Sequence, residues 1–249
     1  MKKYYFFSGL PRAGNTILAS LLNQNPDIYA TGQSITTSIM HDLVTVTCNN
    51  DVYKSYPQES KMDNVLKNVL PNYYKEVNKK YIIERAEWII PNNLELYRKY
   101  CPNEIKGIAL TRDLTEIIKS FFNHANLYPN FFLNHQGGHT QKNKIDFLLQ
   151  PYSYIDYMYK SIKHLDDSFL IVDYKDIVEN TQQTLNKIYS YYQIDNYVHD
   201  LNNIPQLKGY KDNLFGHNLH EINTNSIAYN EYEIELEDYV IEKINNFML

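Results

Sequence analysis

The chain has 249 residues, a formal net charge of −5 and 43% hydrophobic residues, values that build one well-cored domain and exclude a disordered chain. The acidic balance argues against a general nucleic-acid binder. With only two cysteines, Cys48 and Cys101, a disulfide framework and a CxxC metal pair are excluded, and a reducing compartment, the cytoplasm, is expected.

Residues 3–7 form a short apolar run that predicts a buried strand. Lysines ahead of it imitate a signal peptide, but the run breaks at Ser8-Gly9 and Pro11-Arg12. No later stretch reaches the roughly 18 apolar residues of a membrane span, so no membrane association is expected. Gly9 to Gly14 reads as a turn, and residues 15–22 as a helix that stops before Pro26. Residues 38–46 and 62–77 predict helices around a polar loop, with Pro71 breaking or kinking the second. A strand at 81–83, a helix at 92–100, a strand at 105–110 and an amphipathic helix at 113–124 follow. Residues 126–150 read as a long loop or lid. A helix at 151–164, a strand at 169–172, a helix at 176–192 capped by Asp176, and a tail helix at 229–247 complete the chain.

Strands alternating with helices predict an α/β fold, a single domain over 1–249 with a central parallel sheet flanked by helices. Ligands of such sheets sit beyond the carboxyl ends of the strands. Residues 9–16, Arg85, Arg112 and Tyr174 all fall there.

The turn at Gly9-Leu10-Pro11-Arg12-Ala13-Gly14 enters a helix at Asn15-Thr16. Backbone N–H groups at a helix start favour an anion; Arg12 adds a forked cation and Thr16 a hydroxyl. A Walker A loop would need a lysine that is absent here. A plain strand-to-helix connection would also use such glycines. Residues 7–18 resemble the 5′-phosphosulfate loop of sulfotransferases that use 3′-phosphoadenosine 5′-phosphosulfate (PAPS), and Leu21-Leu22-Asn23-Gln24-Asn25-Pro26 continues the likeness. Ala13 and Asn15 depart from it, each losing a hydroxyl; Arg12, Gly14 and Thr16 keep it.

Arg112 ends a strand and Ser120 lies about two helical turns on, so the two can grip one phosphate. Alternatively, Arg112 pairs with Asp113 or Glu116 and Ser120 is a surface residue. Arg112-Asp113 and Ser120 resemble the family's 3′-phosphate motif, which implies the first arrangement. Tyr174, in Asp173-Tyr174-Lys175-Asp176 after a strand, resembles the family tyrosine that approaches the adenine. Leu219-His220 resembles a late Leu-His near the nucleotide in some bacterial members.

Arg85 aligns with a lysine that many members use near the bridging oxygen. It stabilises developing charge but is a poor proton donor. Glu87 shares its face in an extended chain, which makes it a candidate general base or simply the partner of Arg85 in an ion pair. His41, His124 and His220 are further base candidates. Gln33 stands where tyrosylprotein sulfotransferases carry a glutamate, and an amide takes no proton.

The resemblance spans about residues 4–195, with the segment 196–249 expected to pack over the nucleotide site. It implies a P-loop-like sulfotransferase fold that moves a sulfuryl group from PAPS to a hydroxyl or amine of a small molecule, glycan or peptide, with no metal required. Arg12, Arg85 and Glu87 are the expected catalytic residues. Arg12, Ala13, Gly14, Asn15, Thr16, Arg112, Ser120, Tyr174 and His220 are expected to hold the donor. A non-catalytic nucleotide-binding module and a P-loop-type small-molecule kinase are the alternatives.

Overall fold

A computed structural model describes residues 2–229 and 231–249. Five strands, β1 (Lys3–Gly9), β2 (Ile28–Ala30), β3 (Tyr81–Arg85), β4 (Gly107–Thr111) and β5 (Leu170–Asp173), form one parallel sheet in the order β2-β3-β1-β4-β5. The first strand is therefore central, with β3 and β4 as its neighbours. Its apolar run is buried on both faces, with Phe6 and Phe7 fully enclosed, as a parallel sheet covered by helices requires.

In chain order the helices are α1 (Asn15–Leu22), α2 (Thr36–Asn49), α3 (Asp51–Ser55), α4 (Glu59–Lys67), α5 (Val69–Tyr73), α6 (Pro91–Tyr100), α7 (Leu114–Leu127), α8 (Phe132–Gln136), α9 (Gln141–Leu148), α10 (Tyr154–Lys163), α11 (Tyr174–Glu179), α12 (Thr181–Tyr192) and α13 (Asp238–Met248). Trp88, Tyr97, Tyr189 and Tyr192 are the largest fully buried side chains. Tyr192 donates its hydroxyl to the Phe6 carbonyl at 2.7 Å, satisfying both polar groups inside the core.

Several expectations change. The stretch 126–150 is not a bare loop: α8 and α9 form within it, burying Leu133, Ile145 and Leu148, and Thr140 caps α9 by accepting the Asn143 N–H. Asn, Gln and Lys between these anchors hide the helical period. The helix expected over 62–77 is two, α4 and α5, divided at Asn68. Pro71 explains the division, because its ring excludes the carbonyl four residues earlier. The helix expected over 176–192 also divides, at Asn180, and begins earlier. Its cap is Asp173, which accepts the Lys175 N–H at 2.8 Å; Asp176 lies inside the first turn. Strand β2 has three residues, too short for a pattern. The tail helix starts at Asp238 rather than 229.

No helix among the described residues is long and apolar enough to cross a membrane.

Candidate active site

Parallel strands present their carboxyl ends along one edge. There β1 runs into the Gly9–Gly14 turn, β3 ends on Arg85, β4 hands over to Arg112, and β5 to Tyr174. A cavity of about 820 Å³ opens above this edge; Arg12, Gly14, Thr16, Arg85, Arg112 and Tyr174 are in its wall.

The loop is set by its backbone. Arg12 and Gly14 have φ of 63° and 83°, in the left-handed region. Gly14 is needed twice over, since a Cβ there would also lie 2.8 Å from the Tyr174 ring. No side chain caps α1, so its first N–H groups remain available at the loop. Asn15 turns inward: its amide donates to the Leu10 carbonyl at 2.9 Å and braces the turn. Ala13 is fully buried, its N–H directed at the same carbonyl at 3.3 Å. Both departures from the sulfotransferase pattern thus serve the loop's interior: Ala13 is outside the cavity wall with its N–H already used, and Asn15 offers a ligand its backbone.

Arg12, Arg112 and Ser120 come together, though not as the sequence suggested. Arg12 Nε donates to Ser120 Oγ at 3.1 Å, and its Nη1 to the Leu219 carbonyl at 3.1 Å. Its Nη2 lies 3.4 Å from His124 Nε2. Burial, and the neighbouring charge of Arg12, lower the His124 pKa to about 4, so the ring is neutral at pH 7. Arg112 reaches back to the Arg12 carbonyl at 2.9 Å and lies 4.4 Å from the Tyr174 ring centre. It pairs with neither Asp113 nor Glu116: Asp113 caps α7 and Glu116 bonds Lys119. Its Nε and Nη2 are buried and find no partner among the described residues. A guanidinium enclosed this way favours an anion.

On the opposite side Arg85 Nη1 donates to the Gly32 carbonyl at 2.7 Å, and its backbone N–H to Thr31 Oγ1 at 2.7 Å. Beneath it lies Glu84, fully enclosed and accepting from Ser34, Thr36, Tyr74 and Tyr97 hydroxyls at 2.6–2.8 Å. Four donors compensate a carboxylate whose desolvation would otherwise cost several kcal/mol, about the scale of a whole domain's margin. They also tie the loop after β2, which carries Gln33 to the cavity, onto the end of β3. Nothing in the sequence marked Glu84 as more than the neighbour of Arg85.

Glu87 and His41 do not join the site. Glu87 is half-buried, which raises its pKa, but it is not part of the cavity wall. His41 is exposed on α2 and faces Asp42 at 3.8 Å.

His220 does join it, with a partner the sequence did not announce. Asp212 Oδ1 lies 2.6 Å from His220 Nδ1, and Oδ2 accepts the His220 backbone N–H at 3.0 Å. A carboxylate there assigns the proton to Nδ1 and leaves Nε2 as an acceptor. Burial lowers the His220 pKa against the raising effect of Asp212. Tyr210 stacks on the imidazole at 3.9 Å, and a Cβ on Gly32 would overlap its hydroxyl. Asp212, Tyr210 and Tyr232 all enter from residues 196–249; they lack motif spacing, and their roles arise from packing alone.

Beyond these polar groups the wall is apolar. Phe121, Leu148 and Ile155 are buried, and Phe132, Phe147 and Phe215 stand half-buried around them. Phe132 meets Phe121 and Phe215 edge-on, with ring centres 6.2 and 6.1 Å apart. Among the described residues no group of three or more His, Cys, Asp or Glu is placed to hold a metal ion.

The parallel sheet, the loop that carries Arg12 and the cavity at the strand ends define an α/β protein with a candidate anion-binding site. The chain belongs to the sulfotransferase family, whose profile matches residues 5–199. Three solved structures share its fold. They are the sulfotransferase domain of the Synechococcus PCC 7002 olefin synthase (13% identity, TM-score 0.54, covering 100% of this chain and 95% of that one), the sulfotransferase domain of the curacin biosynthetic pathway (14%, 0.56, 99% and 97%) and a sulfotransferase from Alicyclobacillus acidocaldarius (12%, 0.56, 100% and 92%). No curated protein matches the chain significantly.

Proposed function

We propose that this sulfotransferase takes PAPS as donor and an apolar hydroxyl compound as acceptor. The observation that carries this reading is the convergence of Arg12, Thr16, Arg85, Arg112 and the Asp212–His220 pair on one cavity.

Two anion subsites fit the donor. The loop N–H groups of Gly14, Asn15 and Thr16, with the Thr16 hydroxyl, suit the 5′-phosphosulfate. Arg112, Arg12 and Ser120 suit the 3′-phosphate, and Nε and Nη2 of Arg112, buried and without a partner among the described residues, support this reading as donors a phosphate would satisfy. Tyr174, packed between Gly14 and Arg112, keeps a ring edge and a phenol in the cavity wall for the adenine. The donor supplies an activated sulfuryl group; the chain supplies position and charge.

Arg85 provides fixed positive charge where it develops on the transferred and departing oxygens. His220 Nε2, with Nδ1–H held by Asp212, accepts the acceptor's hydroxyl proton. Sulfur–oxygen bond formation to the acceptor accompanies cleavage of the bond to the donor's bridging oxygen, which leaves as 3′,5′-diphosphoadenosine (PAP). Phe121, Phe132, Phe147 and Phe215 face the acceptor. Each sugar hydroxyl buried unpaired against such a wall costs about 1–3 kcal/mol, so an apolar alcohol or phenol is favoured over a glycan.

The test is transfer from PAPS to a panel of simple phenols, alkyl alcohols and oligosaccharides, with and without Mg²⁺. Sulfated apolar product formed equally without Mg²⁺ supports the reading. PAPS binding without product on any acceptor favours a non-catalytic module, and phosphoryl transfer from ATP that requires Mg²⁺ favours a kinase.

A further inference from the structure

The subsite assigned to the second phosphate is in contact with the chain itself. Ser120 is fully buried on α7, and its Oγ lies 3.2 Å from the Tyr232 hydroxyl while accepting from Arg12 Nε. Arg112 lies 5.8 and 5.9 Å from the ring centres of Tyr229 and Tyr232. Tyr232 therefore brings a neutral hydroxyl and an aromatic face to the two cations and one hydroxyl that a phosphate would use.

The segment that carries Tyr232 is built as a strap. It is fixed at one end by Gln206, whose side chain bonds the His220 carbonyl at 3.0 Å and the Ile222 N–H at 3.1 Å. At the other end Gln141 on α9 bonds the Glu235 carbonyl at 2.9 Å and the Glu237 N–H at 3.1 Å. Among the described residues between these fixed points there is no helix or strand. Tyr232, Ile234 and Leu236 are half-buried, whereas Glu231, Glu233, Glu235 and Glu237 are exposed. The strap thus lays an acidic outer face over an arginine-lined cavity. Of the described residues between the two fixed ends only Ile227 and Ile234 pack against the hydrophobic core, so the segment has less to lose on opening than a helix or strand of the core.

We propose that the described residues 225–229 and 231–234 form an autoinhibitory strap: the Tyr232 hydroxyl occupies the Ser120 side of the second anion subsite, and a ligand's second phosphate must displace it. This rests on the nucleotide reading above. A competing closed state lowers apparent affinity by the fraction of molecules that are open. A neutral hydrogen bond to Ser120, with ring contact to Arg112, is enough for roughly a 3- to 10-fold effect. A nucleotide lacking a 3′-phosphate makes no demand on that subsite and leaves Tyr232 in place.

Binding of PAP and of AMP to wild type, Tyr232→Phe and Tyr232→Ala tests this directly, with limited proteolysis read in parallel. Tyr232→Ala is expected to tighten PAP roughly 3- to 10-fold and leave AMP unchanged, with Tyr232→Phe between. PAP, but not AMP, is expected to speed cleavage of the wild type beside Tyr229 and Tyr232. Weaker PAP binding in Tyr232→Phe would make the hydroxyl a ligand contact and overturn the strap. Equal PAP affinity across the three proteins would overturn it while leaving the nucleotide reading intact. Failure of every protein, wild type included, to bind PAP would remove the nucleotide reading and the strap with it.

Discussion

Asp212 holds His220 at two atoms: one carboxylate oxygen takes its backbone N–H at 3.0 Å, the other faces Nδ1 at 2.6 Å. The pair fixes both ring orientation and tautomer, which a lone histidine in a loop cannot do. Asp212→Asn keeps the shape but frees the wrong nitrogen. Turnover is expected to fall by about 10²-fold or more, with PAP binding close to wild type. Transfer rates beside a binding isotherm check this, and unchanged turnover would remove His220 from the chemistry. Because burial lowers the His220 pKa, the acid limb of the rate profile is expected below the ordinary histidine value of about 6.5.

Arg85→Ala is expected to separate chemistry from binding. The side chain faces the cavity from the end of β3, bonded to the Gly32 carbonyl at 2.7 Å. Losing one donor aimed at developing charge commonly costs 10²–10³-fold in turnover. PAP affinity should change little, since the two anion subsites lie elsewhere. Retained turnover would end the role.

Arg112→Ala and Ser120→Ala should weaken PAP far more than AMP. A charged hydrogen bond is worth about 1.5–3 kcal/mol and a neutral hydroxyl less, so Arg112 should show the larger effect. Calorimetric titration of both ligands measures the difference. Equal losses for the two nucleotides would mean that neither residue reads a second phosphate.

Much of this was legible beforehand. Strands β1, β3, β4 and β5 announced themselves as apolar runs between turn residues, and the loop from Gly9 to Thr16 as a strand-to-helix anion motif. Arg12, Arg85, Arg112 and Tyr174 could be placed because a parallel sheet gathers its strand ends at one edge. Three-residue β2 could not be read, since its pairing with β3 rather than its own pattern makes it a strand. Glu84 escaped for a related reason: its four hydroxyl partners come from residues 34, 36, 74 and 97, and only the fold assembles them. Asp212 and Tyr232 belong to a segment with little regular structure, whose contacts no periodicity encodes. That the Asn15 side chain turns inward to the Leu10 carbonyl was not legible, because sequence spacing places a residue without giving the direction of its side chain.

Stability should decline in mild acid. Burial lowers the His199 pKa to about 4, whereas the unfolded chain takes up that proton near about 6.5. Between these values the unfolded state binds more protons, so stability falls as pH drops from about 6.5 to about 4 and is level above. The His199 contribution has an upper limit of about 1.4 kcal/mol per pH unit within that window. His124, held low by burial and by Arg12, acts in the same direction. Denaturant midpoints taken at neutral pH and near pH 5 measure the slope, and His199→Gln should reduce it to the part that His124 carries.

The most direct test of the central claim is thermal stabilisation by PAP set beside AMP and ATP at equal concentration, followed by calorimetry for the affinities. Two anion subsites, one at the loop and one at Arg12, Arg112 and Ser120, predict that PAP stabilises most. A ligand at 100 times its dissociation constant adds about 2.7 kcal/mol to the folded state. Equal shifts for PAP and AMP, or a larger shift for ATP, would contradict the account.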